Sequence, residues 1–482
     1  MSQDLLATLP LLVVLSSAIL LTLVDLVIPA DRKGWTALLA ALGLLAALVV
    51  SLGNLGTQQQ AFGGMLAVDG FSAFLNIVFL LAGIVGIGLA YDYLRRMELL
   101  HGEYYILLLF SISGMMLMAQ AADLIVVFLA LELLSIPLYV LSGFASPRRE
   151  SQESAMKYFL LGAFASGFLV YGIALVYGAT GSSGLREIVT ALAQAGSATP
   201  MLMMGVTMIL VGLGFKVAAV PFHMWIPDVY HGAPSPIVGF MSVGAKAGGF
   251  AALLRVFIAA FPSLAGAWGP LAMWLAAITM TWGNVAAIAQ RNIKRMLAYS
   301  SIAHAGYILM ALPAAADPAV AGDAVGAALF YLLAYALTNL GAWGVVVALE
   351  RREGQGLAIE DYAGLAERRP GLALAMVVFM LSLTGLPPTA GFIGKFYLFR
   401  AVLQADLVWL AIVGVVTSLV SAYYYLRVVI VMYMQPGEPE VRSEAWLNGS
   451  VAITALATLI FGLLPAPLFA LASQAGLLAF LP

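Results

Sequence analysis

Gly214-Phe215-Lys216-Val217-Ala218-Ala219-Val220-Pro221-Phe222-His223-Met224-Trp225-Ile226-Pro227-Asp228 interrupts an otherwise apolar run in mid-course. An interior proline deletes a backbone hydrogen bond and clashes with the carbonyl four residues back, so a helix entering this stretch breaks. A second such stretch reads Leu383-Thr384-Gly385-Leu386-Pro387-Pro388-Thr389-Ala390-Gly391-Phe392-Ile393-Gly394-Lys395. In lipid, the carbonyls freed by a break are tolerated only where protein or a water-filled cavity satisfies them. Each break therefore marks an internal, hydrated spot, and each carries a lysine.

The setting is lipid because the chain of 482 residues is 63% hydrophobic and only 10% charged, with a mean hydropathy of +1.01. A soluble domain carries roughly 25% charged residues. Too little polar surface is left to coat a water-facing globule, so the outer surface must face hydrocarbon. A net charge of −2 offers no basic footprint for nucleic acid, and the absence of cysteine excludes iron–sulfur, thiolate-zinc and disulfide chemistry. Gly244-Ala245-Lys246 lacks the spacing of a phosphate loop. Electrons, if the protein serves redox chemistry, travel elsewhere. The first apolar run is preceded by Asp4 and no basic residue and is followed by Arg32-Lys33. It reads as a first membrane helix with its N-terminus outside, rather than as a cleaved signal.

Runs long enough to cross a bilayer fall near 6–29, 35–54, 71–94, 103–121, 123–143, 154–178, 201–221, 235–260, 266–289, 294–312, 322–349, 370–402, 406–434 and 446–478. Numbering loops from an outer N-terminus puts the odd loops on the cytoplasmic side. These loops and their helix ends carry Arg32, Lys33, Arg95, Arg96, Arg148, Arg149, Lys157, Arg291, Lys294, Arg295, Arg351, Arg352, Arg368, Arg369 and Arg442. The even side carries only Arg186, Arg255 and Arg400. Cytoplasmic loops are enriched in Lys and Arg, so this asymmetry supports fourteen helices with both termini outside.

The proline breaks lie 166 to 167 residues apart, from Pro221 to Pro387 and Pro388. The fourth and ninth runs begin at a similar offset. The expected fold is all-α and polytopic: three N-terminal helices (1–102), a five-helix unit (103–260), a second unit (266–434) and a final helix (435–482). An odd number of helices per unit gives the copies opposite orientation, an inverted repeat in which paired broken helices point to the transport path.

Four ionisable residues are expected deep within spans: Glu132, Lys216, Lys246 and Lys395. A charge at the bilayer centre costs about 3 kcal/mol on translocon scales. One carboxylate satisfies about one lysine, which leaves two lysines in search of other partners. Burial disfavours the ammonium form, and a nearby carboxylate favours it. A Lys216 whose distance from Glu132 changes would therefore load a proton when paired and release it when parted. Lys246 could receive that proton, with Gly244, Gly248 and Gly249 leaving room around it. Lys395, on the outer side of the second break, suits an exit.

His304, in Ser300-Ser301-Ile302-Ala303-His304-Ala305-Gly306-Tyr307, suits a relay between lysines. The alternative is a packing histidine bonded to a neighbouring Ser or Tyr. His223 and His231 read as interfacial anchors or an access funnel. Asp25 is expected to be solvated, Arg427 to snorkel to water, and Tyr423-Tyr424-Tyr425 to pack.

Val220-Pro221-Phe222-His223-Met224-Trp225-Ile226-Pro227-Asp228-Val229-Tyr230-His231-Gly232-Ala233-Pro234 resembles the signature of the antiporter-like proton-pumping subunits of respiratory complex I. In detail the chain looks like subunit N. Gly385 to Phe396 and Lys294 to Tyr307 read the same way, and the related L, M and Mrp antiporter proteins typically carry histidine where Lys246 stands. The resemblance spans the whole chain. It implies proton-channel roles for Glu132, Lys216, Lys246 and Lys395, and a connecting role for His304. It also implies that NADH, FMN, iron–sulfur clusters and quinone are handled by partner subunits, with this chain binding no cofactor or metal and catalysing nothing alone. The implied location is a bacterial inner membrane, beside the other membrane-arm subunits. An Mrp-type cation/proton antiporter subunit, the same subunit in a ferredoxin-driven relative, and a non-pumping scaffold are the competing readings.

Overall fold

The computed structural model describes residues 2–146, 148–195 and 198–477. Among these, twelve helices are long and apolar enough to cross a membrane, and two shorter apolar helices, Leu9–Val24 and Pro370–Thr384, accompany them. Over its described residues, each expected run overlaps a helix or a pair of helices. In chain order the helices used below are α1 (Leu9–Val24), α2 (Gly34–Gly53), α3 (Gly70–Arg96), α4 (Gly102–Gln120), α5 (Leu124–Ser142) and α6 (Arg149–Thr180). There follow α7 (Pro200–Val217), α8 (Trp225–Gly232), α9 (Ser235–Arg255), α10 (Ala265–Ile288), α11 (Ile293–Leu309) and α12 (Ala321–Leu349). The last are α13 (Pro370–Thr384), α14 (Ala390–Gln404), α15 (Val408–Met434) and α16 (Ala445–Leu463). A small antiparallel hairpin pairs Gln59–Ala61 with Leu66–Val68 ahead of α3.

Polar residues set the helix starts. Asp123 accepts from the Ile125 amide at 2.7 Å ahead of α5, Thr199 caps α7 in front of Pro200, and Asn292 caps α11. These oxygens satisfy amides that the first helical turn leaves without partners. Glycine lets backbones approach closely between spans, as small residues do in membrane bundles. A Cβ on Gly114 of α4 would stand 2.3 Å from the Leu134 amide nitrogen of α5, and one on Gly283 of α10 would stand 2.5 Å from the Ala303 nitrogen of α11.

The helices divide by what surrounds them. The apolar windows of α9 and α12 are wholly enclosed by protein, whereas only 28% of the corresponding window of α16 is buried. Leu20, Phe164 and Leu419 point outward from peripheral helices as a lipid-facing coat does. Enclosure decides where ionisable groups can sit, because inside the bundle they meet dipoles and hydroxyls instead of hydrocarbon.

Three residues depart from their expected surroundings. Arg255, expected at an outer helix end, is fully buried at the end of α9. Its guanidinium donates to both oxygens of Asp69 at 2.8 Å and to the Ala119 carbonyl, and it lies over the Phe71 ring. Asp69 also caps α3, so one side-chain cluster ties the ends of α3, α4 and α9 together. Asp25, expected to be solvated, is buried and accepts from Lys33 at 2.7 Å and Thr36 at 2.5 Å. Lys294, expected in an inner loop, is fully buried. In all three, neighbouring helices close over a charge that sits near a span end in the sequence.

Removing one partner of a fully buried pair typically costs about 3–5 kcal/mol. Arg255→Met should therefore lower the thermal midpoint of the detergent-solubilised protein markedly. Asp69→Asn on top of it keeps a capping oxygen, removes the orphaned charge, and should recover part of the loss. An unchanged midpoint in the single variant would mean that the cluster does not hold the three helices.

Candidate functional site

The first break is built so that few freed groups stay unsatisfied. α7 stops at Val217, and Ala218 takes a left-handed conformation at φ +67°. The Phe215 carbonyl accepts from the Ala218 amide in a tightened last turn and from the Trp225 indole, each at 3.1 Å. The Val220 amide donates to Thr279 of α10 at 2.9 Å. Lys216 stands in the last turn of α7, where the helix dipole favours a cation. Its ammonium donates to Ser135 Oγ at 2.8 Å and to the Tyr158 hydroxyl at 3.2 Å, and Tyr158 stacks on Trp225.

Glu132 lies one turn before Ser135 on α5 and accepts from Ser166 at 2.6 Å. Among the described residues no ion pair joins Glu132 to Lys216; the two are linked through Ser135 and the single turn between them. Glu132 stands at the middle of α5, but it is not buried as expected: in this chain alone it is partly exposed. It shares a face of α5 with exposed Ile125, Leu129, Ile136 and Val140.

Lys246, three turns into the enclosed α9, donates to both the carbonyl and the hydroxyl of Ser301 on α11 at 2.5 Å. Ser301 also accepts from the Tyr335 hydroxyl of α12 at 2.9 Å. Gly249, less than one turn beyond Lys246, lies against the stem of Lys216: a Cβ there would stand 3.2 Å from Lys216 Cγ and 2.9 Å from Val217 Cγ1. The glycines near Lys246 thus permit close helix contact, and that contact sets Lys216 and Lys246 on neighbouring turns.

His304 is one turn along α11 from Ser301 and is buried. Its Nδ1 is 2.7 Å from the Tyr331 hydroxyl and its Nε2 3.1 Å from the Tyr425 hydroxyl. The Tyr425 hydroxyl also meets Ser300 in a short hydrogen bond. Both ring nitrogens therefore face phenols, which can each donate or accept.

At the second break α13 ends on Thr384, with Gly385 left-handed at φ +88°. A Cβ on Gly385 would stand 2.7 Å from Lys395 Cδ, so both the backbone angle and the space require glycine here. Lys395, in the second turn of α14, donates to the freed carbonyls of Leu383 at 3.1 Å and Thr384 at 2.8 Å, and to Ser418 at 2.7 Å. Its ammonium also lies 4.5 Å from the centre of the Tyr307 ring. The broken end supplies the acceptors that the lysine needs.

The structure thus brings Lys216, Lys246, His304 and Lys395 into one enclosed polar line, with Glu132 at its partly exposed end. Sequence reading missed the connecting hydroxyls: Ser135, Tyr158, Ser301, Tyr331, Tyr335, Tyr425 and Ser418. Tyr424 and Tyr425, expected only to pack, are hydrogen-bonded, Tyr424 donating to Asn284 at 2.9 Å. A local signal existed only for some: Ser135 lies one turn from Glu132 and Ser301 one turn from His304, whereas Tyr331, Tyr335 and Ser418 have no charged residue or histidine within a turn. Arg427 donates to the Ile288 and Gln290 carbonyls instead of only reaching water. His223 lies against Trp282, and Asp228 pairs with Lys157 at 2.6 Å and Arg295 at 3.0 Å near the break.

A family model described as NADH:quinone oxidoreductase/Mrp antiporter, TM, matches residues 121–421. NADH-quinone oxidoreductase subunit N of Chloroflexus aggregans is 50% identical over 473 residues, covering 96% of each chain. That of Trichlorobacter lovleyi is 47% identical over 464 residues, covering 94% of this chain and 93% of its own. A chain of respiratory complex I from Thermus thermophilus superposes with a TM-score of 0.83 at 38% identity, covering 97% of this chain and all of that one. A chain of the Mrp complex from Dietzia shares the fold, with a TM-score of 0.86 at 20% identity and 98% and 97% coverage. Near-complete coverage at these identities settles the family: the chain belongs to the NADH-quinone oxidoreductase subunit N family of antiporter-like membrane proteins.

Proposed function

We propose that this chain is a proton-translocating membrane-arm subunit of an NADH:quinone oxidoreductase, and that Glu132, Lys216, Lys246, His304 and Lys395 carry the proton. The observation that carries this reading is the enclosed line itself. Three lysines lie within wholly protein-surrounded polar sites, each ammonium held by hydroxyls or carbonyls and none by a carboxylate within ion-pair distance among the described residues. A structural lysine is most cheaply neutralised by a partner charge, whereas one held by neutral acceptors can lose its proton without stranding an anion. At least one hydroxyl stands beside each amine and beside the imidazole, and each can accept one proton while giving another.

Glu132 supports the assembly side of the proposal. A carboxylate on an apolar exposed stripe is costly against lipid, so a neighbouring membrane subunit is proposed to cover that face of α5. The electron donor, flavin, clusters and quinone are proposed to reside in partner subunits, with no redox catalysis by this chain alone. The proposed topology has fourteen spans, two oppositely oriented five-helix units over 103–260 and 266–434, both termini outside, and a bacterial inner membrane as the location. Moving one proton against 100 mV requires about 2.3 kcal/mol, so the drive must come from those partners.

Purification from native membranes in mild detergent is expected to bring down NADH-oxidising and iron–sulfur subunits. Recovery with small antiporter proteins and no redox subunit would favour the Mrp-type reading. In the assembled complex, Lys216→Met and Glu132→Gln should each lower proton pumping per electron pair several-fold while NADH oxidation by an artificial acceptor stays at the parental rate. Unchanged pumping in both variants would leave only the scaffold reading.

A further inference from the structure

Glu350 is a buried carboxylate that the lysine line does not use. It ends α12 and is fully buried; the Tyr93 hydroxyl faces its carboxylate, but among the described residues no donor makes a close hydrogen bond to either oxygen. Two cations stand just too far away to donate: Arg148 at 3.6 Å and Lys294 at 3.8 Å from Oε1. Charge-assisted hydrogen bonds lie near 2.7–2.9 Å. Asp69 and Arg255 show what a locked pair in this protein looks like, bidentate at 2.8 Å with further bonds to a backbone carbonyl. Around Glu350 the charges are loosely set, and the gaps are the size that a bridging water spans.

The surroundings extend that opening in two directions. On one side lies a cleft of about 510 Å³ lined by Tyr93, Arg148, Arg149, Glu150, Arg351 and Arg352, all from the face proposed to be cytoplasmic. On the other, Lys294 donates to the Ala233 carbonyl at 2.7 Å at the head of α9. Seven residues further along α11, about 10.5 Å at the helical rise, Ser301 binds Lys246. Between these levels the buried Ser235 hydroxyl has no hydrogen-bond partner among the described residues, and the Tyr230 hydroxyl lies beside Ser301 without a close hydrogen bond. Loosely partnered buried polar atoms are what ordered water satisfies. The ionisable groups facing Glu350 are Arg148 ahead of α6, Lys294 of α11, Tyr93 of α3 and Tyr362 of the turn Ile359–Tyr362. Arg96 binds its backbone carbonyl, and His231 lies close to Lys294 and Arg148.

We propose that Glu350, set between Arg148 and Lys294, is a water-linked proton-loading site that feeds Lys246 from the arginine-lined cleft. Hydronium in the cleft, in equilibrium with bulk solvent, gives a proton to the Glu350 carboxylate and leaves water. The proton then passes through water past Ser235 and Tyr230 to the neutral Lys246 amine, and the carboxylate is regenerated. No electrons move. The inference rests on the proton-translocating reading above.

The test uses the assembled complex. Glu350→Gln should lose proton pumping per electron pair, and Glu350→Asp, which keeps the carboxylate, should restore most of it. If Lys216→Met loses pumping while Glu350→Gln pumps at the parental ratio, this inference is overturned and the parent reading stands. If both pump normally, the parent reading fails. Should Glu350→Gln not assemble, Ser235→Cys decides the matter, because the chain has no cysteine of its own. A small charged methanethiosulfonate reagent added on the cleft side should modify it, as seen by mass spectrometry of this chain. Failure to react under conditions that modify Gln152→Cys, exposed at the cleft-side start of α6, would show no water path and overturn the proposal.

Discussion

A polar group surrounded by hydrocarbon has no solvent to fall back on, and almost every feature of this chain answers to that constraint. Breaking a helix frees carbonyls and amides in mid-membrane. At the first break Trp225 and Thr279 take up two of these groups. At the second the freed carbonyls of Leu383 and Thr384 become ligands of Lys395. An amine that would be prohibitively placed in lipid and a helix end that would be unsatisfied there stabilise each other. The helix dipole adds to this, since both Lys216 and Lys395 lie at the negative ends of α7 and α13.

The same constraint separates two kinds of buried charge. Arg255 with Asp69 is saturated, short and bidentate, and joins three helix ends whose chain segments are distant in sequence. It resembles a fastening. The ammonium groups of the central line are held by neutral oxygens, so either protonation state can be tolerated without an unpaired charge of the opposite sign. Glu350 stands between these extremes, among cations that neutralise it but do not bind it closely. Geometry, more than burial, distinguishes the roles, because all these groups are nearly or wholly buried.

Close helix contact gives the line its continuity. Gly249 lets α9 lie against the stem of Lys216, and Ser301 lets α11 receive Lys246. One turn further, His304 reaches phenols from α12 and α15. Each step between sites is a helical turn, a hydrogen bond or, between the first two lysines, the close contact at Gly249. A larger residue at Gly249 would separate the helices that carry the first two lysines.

Composition and the spacing of apolar runs were enough to establish a polytopic helical membrane protein, because the need for about 20 apolar residues per span is a one-dimensional requirement. The two proline breaks and the rarity of charge within spans likewise exposed Lys216, Lys246 and Lys395, since an ionisable residue in such a run is anomalous wherever the chain folds. Partnership was different. That Arg255 meets Asp69, that Lys294 and Glu350 approach across α11 and α12, that Asp25 is enclosed, and that Tyr331 and Tyr425 flank His304 depend on which faces of distant helices come together. Tyrosine and serine are unremarkable in an apolar run, and a charge near a span end reads as solvated. Only the tertiary structure decided which of them were enclosed, because enclosure is a property of neighbouring helices and not of the helix that bears the residue.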